Sequence, residues 1–162
     1  MRILVDDRWR VTARLRVECD VPLETAQRLL HDFRTFLTTD PLHQRITFDH
    51  GEPDDPETIR GEAITIRHSM LGVHIDRAGR ILRWRPGFEL AVSDLSRRGR
   101  SVGFPHMCRY VLSERRPRGH SLLYEVRGVW TARWVPRWIV KLWLAWVMAA
   151  TRGRLLAHLA RQ

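Results

Sequence analysis

Cysteine is scarce in this chain, lysine is nearly absent, and no apolar run is long enough to span a bilayer. Each shortage closes off a class of protein. The two cysteines, Cys19 and Cys108, have no CxxC spacing and no partner cluster along the chain, so no metal site and no cofactor are expected. Both read as small buried hydrophobes in a reducing, cytoplasmic setting. The opening MRILVDDRWR offers only Ile3, Leu4 and Val5 before two aspartates, which is no signal peptide, and Arg2 rules out myristoylation. Of the 28 basic residues only Lys141 is a lysine, against 18 acidic residues, for a net charge of +10. The arginines are spread along the whole chain, as a GC-rich coding genome would place them. No helix-turn-helix, zinc-finger or RNA-binding aromatic signature accompanies them, so no specific nucleic-acid partner is expected. A basic surface does favour anionic lipid.

What is present is a chain of 162 residues, 44% of them hydrophobic, enough for one domain with a sizeable core. Val11, Ala13, Leu15, Val17 and Cys19 alternate with Thr12, Arg14, Arg16 and Glu18, which predicts a half-buried strand. Asp20 offers an N-cap, Pro22 fits a first helical turn, and Leu23, Ala26, Leu29, Leu30 and Phe33 recur at helical spacing. A second short helix is expected from about Thr35 until Pro41 interrupts. Strand patterns then take over, at 44–49, 58–70, 80–85, 88–94, 106–113 and 122–130, separated by turn-rich stretches such as EPDDPE, Pro86-Gly87, SRRGRSVG and ERRPRGHS. The order of strand, two helices, about six strands and one long helix is an α+β architecture.

The last 30 residues, 133–162, hold four of the seven tryptophans, at 134, 138, 143 and 146. They could span a membrane, lie on one, or cover a sheet. Arg137 and Lys141 interrupt the apolar segment and leave only the nine residues 142–150, about half of the ~20 a span requires. Those two charges and Arg152 mark one face. Trp138, Leu142 and Trp146, with Ile139, Trp143 and Val147 beside them, form a wide apolar surface suited to covering a curved sheet. A core-covering helix is expected, with an interfacial membrane helix as the alternative.

The N-terminal strand, the short helices introduced by ECDVPLETAQRLLHDF, the strands GEAITIRHSML and GRILRWRPG, and the final amphipathic helix together resemble the START-like, or SRPBCC, superfamily, in particular its polyketide cyclase/dehydrase and lipid-transport branch. The resemblance covers nearly all of residues 1–162 and rests on pattern, since that superfamily has no invariant catalytic signature to match. It implies a helix-grip fold, in which a curved antiparallel sheet of six to seven strands wraps a long C-terminal helix around a deep apolar cavity. It also implies a hydrophobic small-molecule partner, lipid- or polyketide-like, which such proteins carry, sense or cyclise.

Strand alternation nominates the cavity wall. His106, Cys108, Tyr110 and Leu112 share one face, as do Tyr124 and Val126 on the next strand, and Ile66, His68 and Met70 on an earlier one. Trp138, Leu142 and Trp146 would supply the helical wall. His68 and His106 are the candidate acid/base groups, because imidazole titrates near neutral pH; the plainer reading is a histidine bonded to backbone at a strand end. Tyr110 and Tyr124 would orient a ligand carbonyl, or fill the core. Cys108 with His106 makes an awkward dyad, since residues two apart on a strand are spaced by about 6.5–7 Å. Arg67 and Arg109 are expected to face outward into solvent. Binding without turnover leads, a cyclase or dehydratase follows, and a peripheral contact with anionic membrane is third. If the tryptophans fill the grip themselves, nothing small would bind.

Overall fold

A computed structural model describes residues 1–51, 56–70, 72–95, 103–114 and 119–161. Most of EPDDPE and SRRGRSVG, and the ERRPRGHS segment at 115–118, lie outside the described residues, and so does the side chain of Met70. The elements are β1 (Arg2–Val5), β2 (Arg10–Cys19), α1 (Leu23–His31), α2 (Phe33–Leu37), β3 (His43–Phe48), β4 (Ala63–Met70), β5 (Val73–Arg85), β6 (Glu89–Leu95), β7 (His106–Glu114), β8 (His120–Val129) and α3 (Arg137–Leu159), with one 3-10 turn at Pro56–Ile59. All eight strands form one antiparallel sheet in the order β1-β2-β8-β7-β6-β5-β4-β3. The arrangement is the expected α+β helix grip, with eight strands in place of six to seven.

The extra strand is β1, whose four residues are too few to show a period; it pairs Ile3 with Ala13 and Val5 with Val11. Strand β5 also starts seven residues earlier than its sequence pattern, because its first half is held by pairing with β4 rather than by burial of alternate side chains. The helix start near Asp20 is corrected too. Pro22 occupies the cap position of α1 and no side chain caps it; the backbone N–H groups of Thr25 and Ala26 bond to the carbonyl of Pro22 instead.

Strand β2 shows why the sheet has an inside. Its alternation buries Val11, Ala13, Leu15, Val17 and Cys19 and leaves Arg14, Arg16 and Glu18 exposed. The buried side meets α1, α2 and α3. Helix α3 packs on β1, β2 and α1, and a cavity separates it from β4–β7.

The face that α3 turns inward is only in part the one its charges suggested: Ile139, Trp143 and Val147 do reach the cavity, whereas the row beside them does not. Its buried stripe is Val140, Leu144, Val147, Met148, Thr151, Leu155 and Leu159, a spacing of three and four that keeps one side toward the sheet. Trp138, Leu142 and Trp146 lie across the helix from it and are 63%, 61% and 55% exposed. The helix is apolar almost all round between Trp138 and Ala150, so periodicity there does not single out a face. Arg137 and Lys141 misled because they sit at the helix start, where Arg137 reaches over to pair with Asp7 in the β1–β2 turn.

Candidate functional site

A cavity of about 720 Å³ opens between the sheet and α3. Its helical wall is Ile139, Val140, Trp143, Leu144, Val147 and Met148; Val126 and Trp130 continue the apolar lining, and Val73 and Ile75, half exposed at the tip of the β4–β5 hairpin, flank its mouth. The tryptophans therefore do not fill the grip: only Trp130 and Trp143 reach the cavity, packed edge to face at 5.4 Å. The volume is in the range that takes a drug-sized or lipid-like molecule, about 300–1,000 Å³.

One end of this wall is polar, and sheet register builds it. Cross-strand pairing sets His43 beside His68 and Asp94 beside His106, so four groups from β3, β4, β6 and β7 meet at one level. Asp94 is the centre. Its Oδ1 accepts from Nε of Arg77, which also donates to the carbonyl oxygen of Phe104 at 3.1 Å. Its Oδ2 lies 2.8 Å from Nε2 of His68, 3.7 Å from Nε2 of His106 and 3.9 Å from Nε2 of His43. The His68 approach is poorly aimed, so Oδ2 is buried and accepts no well-directed hydrogen bond from any described residue.

The other ring nitrogens are all committed. Nδ1 of His43 faces the carbonyl oxygen of Leu37 at 3.0 Å, that of His68 the carbonyl of Ile66 at 3.3 Å, and that of His106 the carbonyl of Phe104 at 2.7 Å. A carbonyl only accepts, so each Nδ1 carries the proton and each Nε2 is turned to the cluster. His106 lies flat against Phe104, ring centroids 4.6 Å apart. Gly128 makes room for it, since a Cβ there would stand 2.6 Å from the Cβ of His106 and 2.5 Å from the carbonyl oxygen of Pro105.

Burial and charge oppose each other in this cluster. Burial alone would raise the Asp94 carboxyl, but the imidazoles of His43 and His68 outweigh it and hold the group well below the usual carboxylate range. Burial lowers His106, against the attraction of Asp94. For His43 burial also pulls down, yet the charges of Asp40 and Asp94 prevail and its pKa is raised.

The structure distributes the sequence candidates unevenly. His68, His106, Tyr124 and Val126 border the cavity. Tyr124 donates its hydroxyl proton to Oδ2 of Asp40 at 3.0 Å, so that proton is not free for a ligand carbonyl. Ile66, Cys108 and Tyr110 are buried without lining the cavity; Tyr110 stacks on Tyr124 at 4.4 Å, behind the wall. Cys108 sits 3.6 Å from the Tyr124 hydroxyl, and burial pushes its thiol well above the ordinary range, which leaves it no nucleophile. Arg67 and Arg109 bond to Asp76 and Glu89 on the outer side. Trp138, Leu142 and Trp146 are outside the cavity altogether.

Sequence reasoning missed Asp94, His43, Arg77 and Asp40. Asp94 stands next to last in a strand buried on both faces up to that point, so no alternation exposed it, although it shares parity with the inward Leu90 and Val92. That parity was the available signal. His43 and Asp40 precede the readable part of β3, and Arg77 lies in the half of β5 that has no burial pattern.

No protein-family model matches the chain, and no curated protein matches it in sequence. Solved structures do match in fold. The Zhui aromatase/cyclase from Streptomyces sp. R1128 superposes with a TM-score of 0.68 at 11% identity over 94% of each chain. The fold is START-like. A START superfamily protein from Mycobacterium smegmatis matches at a TM-score of 0.55 and 16% identity, over 93% of this chain and 92% of its own. Ara h 8.0201 matches at 0.58 and 13%, over 91% and 99%. At such identities the START-like likeness establishes architecture and leaves the chemistry to the site.

Proposed function

We propose that residues 1–162 form one ligand-binding domain that holds a hydrophobic, lipid- or polyketide-like small molecule in the cavity between sheet and α3. The observation that carries this reading is the cavity itself, lined by apolar side chains of α3 and β8 and with a polar end at Asp94 and its histidines. A ligand with an apolar body and one oxygen-bearing end matches it in shape and polarity. Native mass spectrometry with solvent extraction tests the reading, together with displacement of a fluorescent fatty-acid probe. A stoichiometric ligand or probe is expected, and Val126→Trp, which places a large ring in the cavity, should abolish binding. A protein that takes up no hydrophobic probe would refute it.

The second reading is turnover, as a polyketide cyclase or dehydratase. It is favoured by His106 on the cavity wall, whose Nδ1 is held by the Phe104 carbonyl and whose Nε2, 3.7 Å from Asp94, is placed to exchange a proton with an enolisable ligand. Such an enzyme should lose turnover in His68→Ala or His106→Ala while keeping most of its ligand affinity.

The outer face of α3 favours a peripheral contact with anionic membrane beside either activity. Trp134 is 85% exposed and continues the outward row of Trp138, Leu142 and Trp146, with exposed Arg133, Arg137 and Lys141 next to it. Aromatic rings beside cations suit the lipid interface. Among the described residues no helix is long and apolar enough to cross a membrane.

A further inference from the structure

Four electron-pair donors converge at the polar end of the cavity, and Oδ2 of Asp94 at their centre is buried with no well-directed hydrogen bond from any described residue. One ring nitrogen each of His43 and His106 and a carboxylate oxygen of Asp94 lie within 4.8 Å of one another, the Nε2 atoms standing 3.9 and 3.7 Å from Asp94 Oδ2. His68 brings a third Nε2 to 2.8 Å from the same carboxylate oxygen. Each imidazole has its proton fixed on Nδ1 by a backbone carbonyl, at Leu37, Ile66 and Phe104. With the imidazoles neutral in that tautomer the three Nε2 lone pairs surround Oδ2, a set of donors whose mutual repulsion a shared cation relieves, either a proton on an imidazole or a metal ion in its place. Arg77 does not fill that role, because its bond is to the opposite oxygen, Oδ1.

We propose that His43, His106 and Asp94 bind a divalent first-row transition metal ion, Zn²⁺ or Fe²⁺ in type, with His68 able to complete the donor set. Two imidazoles and one carboxylate are the donors such ions take where a position is left open to a substrate. The backbone carbonyls on Nδ1 supply the outer hydrogen bonds that orient metal-binding histidines. Spacing fits as well. Metal–ligand bonds of about 2.0–2.1 Å put tetrahedral donors about 3.4 Å apart. The 3.7 and 3.9 Å from Asp94 Oδ2 to the two histidines need a contraction of only a few tenths of an ångström. All four residues line the cavity, so the ion would face the ligand space, where it could bind a ligand oxygen.

The absence of any metal-binding spacing in the sequence does not weigh against this site. Its residues come from four strands, 63 positions apart at the extremes between His43 and His106, and only sheet register joins them.

The test uses tag-free protein, stripped with chelator and dialysed, then titrated with ZnCl2 by calorimetry and with CoCl2 followed by visible absorption. One ion per chain is expected, with the intense d–d bands of four- or five-coordinate Co²⁺. The His43→Ala/His106→Ala variant should bind Zn²⁺ weaker by about 100-fold or more, while His74→Ala, an exposed histidine, should leave affinity unchanged. Zn²⁺ binding that survives in the double variant, or that falls as far in His74→Ala, would overturn the proposal. If the double variant does not fold, the wild-type Co²⁺ spectrum decides alone: weak octahedral bands, or none, refute the site. The result stands apart from the hydrophobic-ligand reading, since a protein that binds the ion but no fatty-acid probe keeps this proposal and loses that one, and the converse loses only this one.

Discussion

Replacing Asp94 by asparagine keeps the shape of the side chain and removes its charge, which makes it the sharpest probe of what holds the polar end together. Asp94 is 1% exposed, and the Arg77 side chain that pairs with it is 15% exposed. Removing one partner of a buried ion pair costs about 3–5 kcal/mol, because the other charge is left without compensation. Arg77 keeps some water and its bond to the Phe104 carbonyl, so the low end, about 3 kcal/mol, is expected. Against a total stability of about 5–15 kcal/mol the variant should still fold. Urea denaturation in the presence of chelator, so that no ion contributes, measures the loss as a lower midpoint at unchanged m-value. The sign with pH also follows. A carboxyl whose folded pKa is depressed contributes its stability above the unfolded value of about 3.9 and loses it only as pH falls through the folded pKa. The deficit should therefore not shrink between pH 8 and pH 5. A loss under about 1 kcal/mol, or one that vanishes by pH 5, would refute the account of Asp94 as the charged centre of the cluster.

Three further outcomes are open to measurement. Gly128→Ala puts a Cβ into the space that His106 needs, so the variant should bind polar-ended ligands less well than a purely aliphatic probe; equal affinity for both would show that His106 is not held by that contact. Cys19 and Cys108 should resist alkylation at pH 8 in the native state and react once the chain is unfolded, because burial raises both thiol pKa values and so removes the reactive thiolate; rapid native labelling of either would contradict the packing. Changing Trp138, Leu142 and Trp146 together to serine should move stability by no more than about 0.5 kcal/mol per site, as expected for exposed positions, and should release the protein from anionic vesicles in a sedimentation assay. A large loss of stability would mean that the row is packed inward.

Much of the fold was legible because strands and helices announce themselves wherever one face is buried and the other wet. Strand β2 alternates cleanly, α1 has a helical stripe, and the order of elements was enough to suggest a sheet gripping a helix. Legibility failed where that contrast disappears. In α3 apolar residues run almost all round, so the sequence showed a long helix but not which side of it meets the sheet, and the charges near its start pointed to a face that includes the inward Ile139, Trp143 and Val147 but also the outward Trp138, Leu142 and Trp146. In β6 both faces are buried, so Asp94 looked like a strand ending rather than the hub of a cluster.

The sequence alone determined the α+β class, the long closing helix, the inward parity of His68 and His106, and the inert character of the cysteines, because each of these depends on local period or on composition. The tertiary structure decided the rest. It set Asp94 beside His106 and His43 beside His68, turned three Nε2 atoms toward one oxygen, and moved the row of Trp138, Leu142 and Trp146 from the cavity to the surface. Those outcomes depend on register between strands distant in sequence and on the rotation of one helix about its axis. Neither quantity is written in the period of any single element.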